Sequence, residues 1–232
     1  RDLVKSGEVG DLKRMVWIKQ TGTDPSAIIT AVHGEAPGKA KAAAFVKSGP
    51  HQLDLWQWIV GMPKRIRAFA SFGKYYDIEV EDDVTAYAEY ENGMTATFIT
   101  STGEAPGTNR LEISGTKGKV VVDTIKSHST ATELTSASLT KQIKSPSERP
   151  RCGSVTYPQT VEPSAYRNSQ NIVDVLENGA EPIAVGTEGI NGLTISNAIH
   201  LSAWTDSWVE LDSLDEDLYY NILAIKLKIQ HS

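Results

Sequence analysis

The chain has 232 residues, of which 40% are hydrophobic and 22% are charged, and its formal net charge is −6. This length and composition suit one large globular domain or two small ones. The sequence contains no basic stripe and no apolar run near the roughly 20 residues of a membrane-spanning helix, so we expect neither a nucleic-acid nor a membrane partner. The single cysteine, Cys152, excludes an internal disulfide and a four-cysteine zinc site, and we expect a cytoplasmic location.

The beginning of the chain resembles the interior of a larger protein. The first residue is Arg1 rather than methionine, and residues 2–10 resemble the end of a helix followed by a turn. We therefore expect a piece of a longer chain, although a processed or trimmed protein would look the same.

The next segments are a strand, a loop and an ambiguous stretch. Residues 12–19 predict a strand that places Met15 and Trp17 on one face. Residues 21–41 are rich in Gly, Pro, Ala and Thr without a steady period, so we expect a loop. Residues 42–47 fit either a helical turn or a strand.

Residues 48–63 predict one short helix with clear ends. Pro50 fits the first turn, where a missing N–H costs nothing, and the small residues before it can cap the helix. Gly61 suits the left-handed position at the C-terminal end, and Pro63 prevents any continuation.

Two polar side chains of this helix are candidates for chemistry. His51 stands in the first turn, and Asp54 follows one turn later. A neutral histidine can take or give a proton near neutral pH. The same histidine could instead only hydrogen-bond the nearby backbone, so the helix alone leaves both roles open.

Alternating polarity after this helix predicts a series of strands. They cover residues 64–72, 83–90, 94–100, 109–114 and 119–123. The pair Asn92-Gly93 predicts a tight hairpin, and we expect an antiparallel meander. One face of it is neither core-like nor strongly charged and carries Thr85, Tyr87, Thr95, Thr97 and Ile99. That face could be exposed to solvent, or it could pack against another sheet in an oligomer.

The second half of the chain changes from strands to helices. The predicted elements are one or two edge strands within 126–163, helices over 166–178, 186–207 and 214–228, and a short strand over 208–211. Thr187 is the expected N-cap of the middle helix. The expected packing stripe of that helix is Leu193, Ile195, Ala198, Ile199, Ser202 and Ala203. This order predicts an α+β fold with helices against one face of a mostly antiparallel sheet.

Short motifs spread along the chain carry a family resemblance. The longest is the helix sequence from His51 to Pro63. The others are residues 79–86, 90–93, 103–110, 113–118, 181–183, 186–190 and 202–204. In this order and spacing, the motifs resemble the C-terminal half of the glucose–fructose oxidoreductase / inositol dehydrogenase family of NAD(P)-dependent oxidoreductases.

The resemblance implies a fold, and it implies that substrate and cofactor are bound by separate domains. The fold is the family's C-terminal, dihydrodipicolinate-reductase-like domain, with a large open sheet, and it would make residues 1–232 one substrate-binding and oligomerisation domain. The substrate would be a sugar or polyol, and the sheet face would join a homodimer or homotetramer. NAD or NADP would be bound by an N-terminal dinucleotide-binding domain that is missing here, since no Gly-x-Gly-x-x-Gly follows a strand. We therefore expect this chain alone to be inactive.

The resemblance also implies candidate site residues. The family's acid/base histidine opens the same helix, and His51 matches it. Four residues earlier, where many members carry an aspartate or asparagine that contacts substrate, this chain has Lys47. That lysine could bind an acidic sugar, or it could be a surface lysine. Asp54 and Tyr166 are further candidates for substrate contacts. The alternative is a non-catalytic binding or assembly module that retains the fold with a degraded active site.

The remaining acidic cluster and histidines predict structural roles. Glu79, Glu81, Asp82 and Asp83 lie at a strand start, and we expect a solvated strand edge, or Asp83 bonded to turn amides, rather than a metal site. The other histidines are expected on the surface or in packing positions, namely His33, His128, His200 and His231.

Overall fold

The computed structural model describes residues 1–22, 50–76, 78, 80–126, 133–141, 153–157, 164–183 and 185–229. The strands are β1 (Leu12–Gln20), β2 (Arg65–Phe72), β3 (Glu81–Glu89), β4 (Thr95–Ser101), β5 (Thr108–Gly115), β6 (Gly118–Lys126), β7 (Glu133–Lys141), β8 (Gly153–Tyr157) and β9 (Val209–Glu210). The helices are α1 (Asp2–Lys5), α2 (Pro50–Val60), α3 (Ser164–Asn178), α4 (Gly189–Thr205) and α5 (Glu216–Ile229). No described helix is both long and apolar enough to cross a bilayer.

The described strands form one sheet in the order β8-β7-β6-β5-β1-β4-β3-β2-β9, which confirms the predicted α+β fold. The expected meander is wrong at one point, because β1 lies between β4 and β5. Strand β1 runs parallel to β4. All the other neighbouring pairs of described strands, including β1 with β5, are antiparallel. The insertion could not be predicted locally, because pairing between strands distant in sequence depends on packing rather than on the pattern within each strand. Residues 126–163 do supply two strands, β7 and β8, at one edge of the sheet, as predicted.

The inner face of the sheet, which the helices cover, carries the core. Its central side chains are Met15, Trp17, Ile66, Ala68, Val84, Ala86, Ala88, Ala96, Phe98, Leu111 and Ile113. Leu53 and Trp56 from α2 and Ile195 and Ile199 from α4 are buried in the same cluster. The alanines of β2, β3 and β4 leave room for the two helices to approach the sheet closely, since an alanine side chain is a single methyl group.

Helix α4 differs from its prediction near its start. Thr187 lies inside a 3-10 turn (Gly186–Glu188), and no side chain caps α4, so the predicted N-cap is wrong. Leu193 is 62% exposed and does not belong to the packing stripe. Near this point Gly192 packs on the α2 backbone, and the buried residues of α4 begin at Ile195. The rest of the stripe is confirmed by the burial of Ile195, Ala198, Ile199 and Ser202, while Ala203 is partly buried.

Glu81 and Asp82 of the acidic cluster are buried rather than solvated, which corrects the prediction, and Glu79 lies outside the described residues. Asp82 is buried, and its carboxylate accepts hydrogen bonds from the backbone N–H groups of residues 74, 75 and 76, at 3.0, 2.6 and 3.3 Å. Asp82, rather than Asp83, therefore satisfies the turn amides, and Asp83 forms an ion pair with Lys74.

Glu81 is also buried, and it links the sheet to two helices. Its Oε2 atom lies 3.3 Å from Nε2 of His200, a buried residue of α4. The His200 ring packs against Trp204, which stacks on Tyr219 of α5 with ring centroids 5.4 Å apart. The prediction that His200 is a packing residue is confirmed.

The outer face of the sheet, opposite the helices, carries the five residues predicted to share a face. Cross-strand pairs place Thr85 opposite Ile99 and Tyr87 opposite Thr97. Arg65 lies over the Trp208 ring at 4.6 Å, and Tyr87 meets the same ring edge-on. An exposed aromatic patch, which we define as Phe69, Tyr87 and Trp208, thus lies on this face.

The end of α4 protects the edge of β2. The two-residue strand β9 pairs only with Arg65 and Ile66, which leaves the next N–H group of that edge, at Ala68, without a strand partner. Ser202 takes this place: its hydroxyl oxygen accepts from Ala68 N at 2.9 Å and its hydroxyl donates to the backbone oxygen of Ser207. Side-chain bonds thus replace the missing part of the ladder.

The C-terminal end of α2 is fixed by a buried network. Trp56 is fully buried, and its indole N–H donates to the hydroxyl of Tyr90, which donates to the backbone oxygen of Gly61 at 3.3 Å. Gly61 has a φ of 83°, the left-handed conformation predicted for it. Burial raises the pKa of the Tyr90 hydroxyl, although the Trp56 hydrogen bond opposes this shift.

Replacing Ser202 by alanine should destabilise the protein. The Ser202→Ala variant leaves the buried N–H of Ala68 without its partner, and we expect a loss of about 1–3 kcal/mol in the free energy of unfolding. Urea denaturation measures the loss. Ser6→Ala, an exposed serine whose hydroxyl bonds only within α1, is the control and should change stability by less than about 0.5 kcal/mol. Equal stability of both variants would contradict the role of Ser202.

Stability should fall in alkaline solution because of Tyr90. The folded state raises the pKa of this hydroxyl above its ordinary value near 10, so the folded protein keeps a proton that the unfolded chain loses. The free energy of unfolding should therefore decrease above about pH 10, by up to about 1.4 kcal/mol per pH unit for this group. Denaturation at several pH values measures the slope. Tyr90→Phe should show a shallower slope, and the slope that remains would come in part from Tyr219, Lys64 and Lys74, whose pKa values the folded state also raises.

Candidate active site

Helix α2 presents His51 to solvent from its first turn. The helix begins at Pro50, as predicted, and His51 is exposed. The opposite side of the helix is held in the core by Leu53 and Trp56. The imidazole therefore projects from a helix whose own position is fixed, which is the condition for a histidine to act at a defined point.

A carboxylate lies one turn further along the same helix. Asp54 is exposed, and residues three apart on a helix are neighbours. Its Oδ1 atom accepts a hydrogen bond from Nε2 of Gln57 at 3.1 Å. The Oε1 atom of Gln57 in turn accepts from Nδ2 of Asn191, in the first turn of α4, at 3.3 Å. Two helices thus contribute to holding this carboxylate.

The structure describes the side chains of two of the four predicted site residues. His51 and Asp54 are brought together on α2, as their spacing predicts. Tyr166 belongs to the first turn of α3, and its assignment stays a prediction. Lys47 lies outside the described residues, so its assignment also stays a prediction.

The arrangement suits proton transfer and hydroxyl binding. An exposed imidazole can accept a proton from a hydroxyl group, and a neighbouring carboxylate can accept a hydrogen bond from another. Within the described ranges, no three His, Cys, Asp or Glu side chains come together as metal ligands. An exposed imidazole beside a carboxylate combines a group able to exchange a proton with a hydrogen-bond acceptor.

Two amides behind Asp54, those of Gln57 and Asn191, were not predicted from the sequence. Gln57 is only 9% exposed although its side chain is polar, and buried polar side chains need partners. Its position three residues after Asp54 was the available signal for the first bond. Nothing in the sequence indicated Asn191, because the contact joins residues from two separate helices.

The described glycines do not fit a dinucleotide phosphate loop. Gly7 and Gly10 precede β1 instead of following a strand. Gly22 does follow β1, but it packs against Ala105, whose Cβ would lie 2.5 Å from a Cβ added at Gly22. Its lack of a side chain thus serves a contact between two loops. The described residues do not form the strand–glycine turn–helix unit that cradles a pyrophosphate.

Three solved structures share the fold. The first is the WlbA dehydrogenase from Bordetella pertussis in complex with NADH and UDP-GlcNAcA, with 20% identity and a TM-score of 0.65 over 90% of this chain and 57% of that one. The second is an aldose–aldose oxidoreductase from Caulobacter crescentus complexed with glycerol, with 20% identity and a TM-score of 0.66 over 90% of this chain and 58% of that one. The third is an oxidoreductase from Agrobacterium radiobacter in complex with NAD+, L-tartaric acid and magnesium, with 18% identity and a TM-score of 0.66 over 91% of this chain and 60% of that one. The chain therefore spans 57–60% of the length of these structures. No curated protein matches it.

A family model provides the assignment. Residues 1–121, more than half of the 232, match the model of the GFO/IDH/MocA C-terminal domain. The match includes α2 with His51 and the strands from β1 to β5. The chain belongs to the GFO/IDH/MocA C-terminal domain family.

Proposed function

We propose that this chain is the substrate-binding and oligomerisation half of an NAD(P)-dependent oxidoreductase that acts on a CH–OH group of a sugar or polyol. The observation that carries the proposal is the exposed His51 at the start of an anchored helix, with the Asp54 carboxylate one turn away. Residues 1–232 would act as one domain of that enzyme.

The proposed chemistry assigns His51 the proton of the reacting hydroxyl. Oxidation of a secondary alcohol requires a base within about 3 Å of that hydroxyl, and an imidazole held at a helix start can serve. Asp54 would accept a hydrogen bond from a second hydroxyl and so orient the ring or chain of the substrate. Lys47 and Tyr166 remain proposed substrate contacts.

The substrate class has support from the ligands of solved relatives. The structures with the same fold hold UDP-GlcNAcA, glycerol and L-tartaric acid. Glycerol and tartaric acid both carry hydroxyl groups on neighbouring carbons, as sugars and polyols do. This pattern suits a site that offers both an imidazole and a carboxylate.

The nicotinamide cofactor would be held by another domain. The relatives in complexes with NADH or NAD+ are longer than this chain, and the described glycines here do not fit a phosphate loop. We propose NAD or NADP as the cofactor of the complete enzyme, with the present chain alone inactive.

The outer face of the sheet is the proposed surface for a homodimer or homotetramer. Its patch of Phe69, Tyr87 and Trp208 is exposed, with Phe69 at 61%. An exposed aromatic patch of this kind favours association, and a two-fold interface buries the same patch on both subunits. The small polar side chains around it, such as Thr85 and Thr97, would let two sheets approach.

Replacing His51 tests the proposed chemistry. When the chain is joined to a dinucleotide-binding half, His51→Ala should reduce the rate of polyol oxidation about 10²- to 10⁴-fold, because the hydroxyl proton loses its acceptor. Nicotinamide reduction followed by absorbance measures the rate. Glu216→Gln, an exposed change in α5, should leave the rate unchanged. A retained rate in His51→Ala would remove this role, and inactivity of the unmodified protein would favour the non-catalytic alternative.

A charge on the outer face tests the proposed assembly. Phe69→Glu should convert an oligomer into a monomer at micromolar concentration, since burying a carboxylate in the interface removes its hydration. Sedimentation velocity measures the change. Leu176→Glu is the matched control, because Leu176 is 79% exposed and belongs to α3 rather than to a strand of the sheet. Dissociation by both variants, or by neither, would contradict an interface through this face.

A further inference from the structure

The amide of Gln57 is a buried link between two helices. Its side chain is 9% exposed, and both of its polar ends are satisfied within the protein. Its Nε2 donates to Oδ1 of Asp54 at 3.1 Å, and its Oε1 accepts from Nδ2 of Asn191 at 3.3 Å. The three side chains form a continuous relay from α4 to the exposed carboxylate of α2.

The ionised carboxylate of Asp54 determines which way the two amide groups of the relay are oriented. An ionised Asp54 can only accept hydrogen bonds, so Gln57 must turn its NH₂ group toward it. The oxygen of Gln57 is then left inside the protein and requires a donor. Asn191 supplies that donor with its own NH₂ group. The orientation of Asn191 is thus transmitted to Asp54, although the two side chains are not bonded to each other.

The far end of the relay has a firm support. Asn191 belongs to the first turn of α4, and the same helix is fully buried at Ile195 and Ile199. Next to Asn191, Gly192 packs on the α2 backbone, since a Cβ added there would lie 3.7 Å from the backbone nitrogen of Asp54. The donor therefore stands on a part of the core that cannot move independently of α2.

The relay goes further than joining two helices requires. A bond between Gln57 and Asn191 would be sufficient for that purpose, but the chain continues to an exposed carboxylate. An exposed aspartate otherwise samples several rotamers, and restricting it before a ligand arrives lowers the entropy cost of binding. The other oxygen of Asp54 accepts no hydrogen bond from any residue that the structure describes, and it can receive a ligand.

We propose that Gln57 and Asn191 are positioning residues for the polyol site, an inference that rests on the proposed function. They hold Asp54 so that its second oxygen receives a hydroxyl of the substrate adjacent to the hydroxyl that faces His51. Their contribution is to substrate binding and orientation, and neither side chain touches the substrate.

Binding of myo-inositol to the unmodified chain and to four variants tests this inference. NMR titration at millimolar concentration gives the dissociation constants, and thermal unfolding gives the stability of each variant. Asp54→Asn and Asn191→Asp should each weaken binding about five- to tenfold, the factor expected for one lost hydrogen bond of typical strength. Asn191→Gln keeps the amide donor and should bind within about twofold of the unmodified chain. Thr194→Val removes a hydroxyl that bonds only to the backbone of its own helix, at Ile190, and should bind like the unmodified chain.

The outcomes separate the inference from the function on which it rests. If Asp54→Asn weakens binding while Asn191→Asp does not, the proposed site stands and the positioning role is overturned. If the unmodified chain does not bind myo-inositol, or Asp54→Asn binds equally well, the proposed site fails and the positioning role fails with it. A purely structural role predicts that Asn191→Asp lowers the unfolding temperature without weakening binding. Should Asn191→Asp fail to fold, Asn191→Ala removes the same donor without adding a charge and is measured instead.

Discussion

The packing of Trp56 against the sheet determines where the candidate site lies. Its ring is fully buried, with its centroid 5.9 Å from that of Phe98 at the centre of the inner face. Its N–H is bonded to Tyr90, which also holds Gly61 at the end of the helix. A fully buried aromatic residue contributes several kcal/mol to stability, so α2 cannot shift without a large loss. The first turn of α2, which carries His51, is therefore presented to solvent at a fixed position.

The two faces of the sheet have different roles: the inner face packs against helices, and the outer face is the surface proposed for assembly. Alternation along β3 places Ala86 and Ala88 under the helices and Thr85 and Tyr87 on the outer face. The inner face needs small residues, because two helices must approach closely enough to bury Trp56 and Ile199. The outer face keeps threonines beside exposed aromatic rings. One strand pattern thus provides both a buried face that fixes α2 and an exposed face, the one proposed for assembly.

Local signals predicted the parts of this molecule that depend on neighbours in sequence. The start of α2 at Pro50, the left-handed Gly61 and the shared face of Thr85 and Tyr87 follow from residue type and spacing alone. The insertion of β1 beside β4 and the burial of Glu81 beside His200 depend on segments far apart in the chain. Charged residues at a strand start are solvated unless a partner from elsewhere covers them, and the sequence does not reveal such a partner.

The same limit applies to the site, and it explains why only half of the site could be predicted. The sequence places His51 and Asp54 one turn apart, which is a property of one helix. Whether that carboxylate is mobile or held depends on Gln57 and, through it, on a donor from α4. A carboxylate held by a relay from the core differs from a solvated surface aspartate, because its orientation is set before any ligand binds. Because the Asp54 side chain is ordered in advance, a ligand that bonds to it would pay a smaller entropy cost on binding.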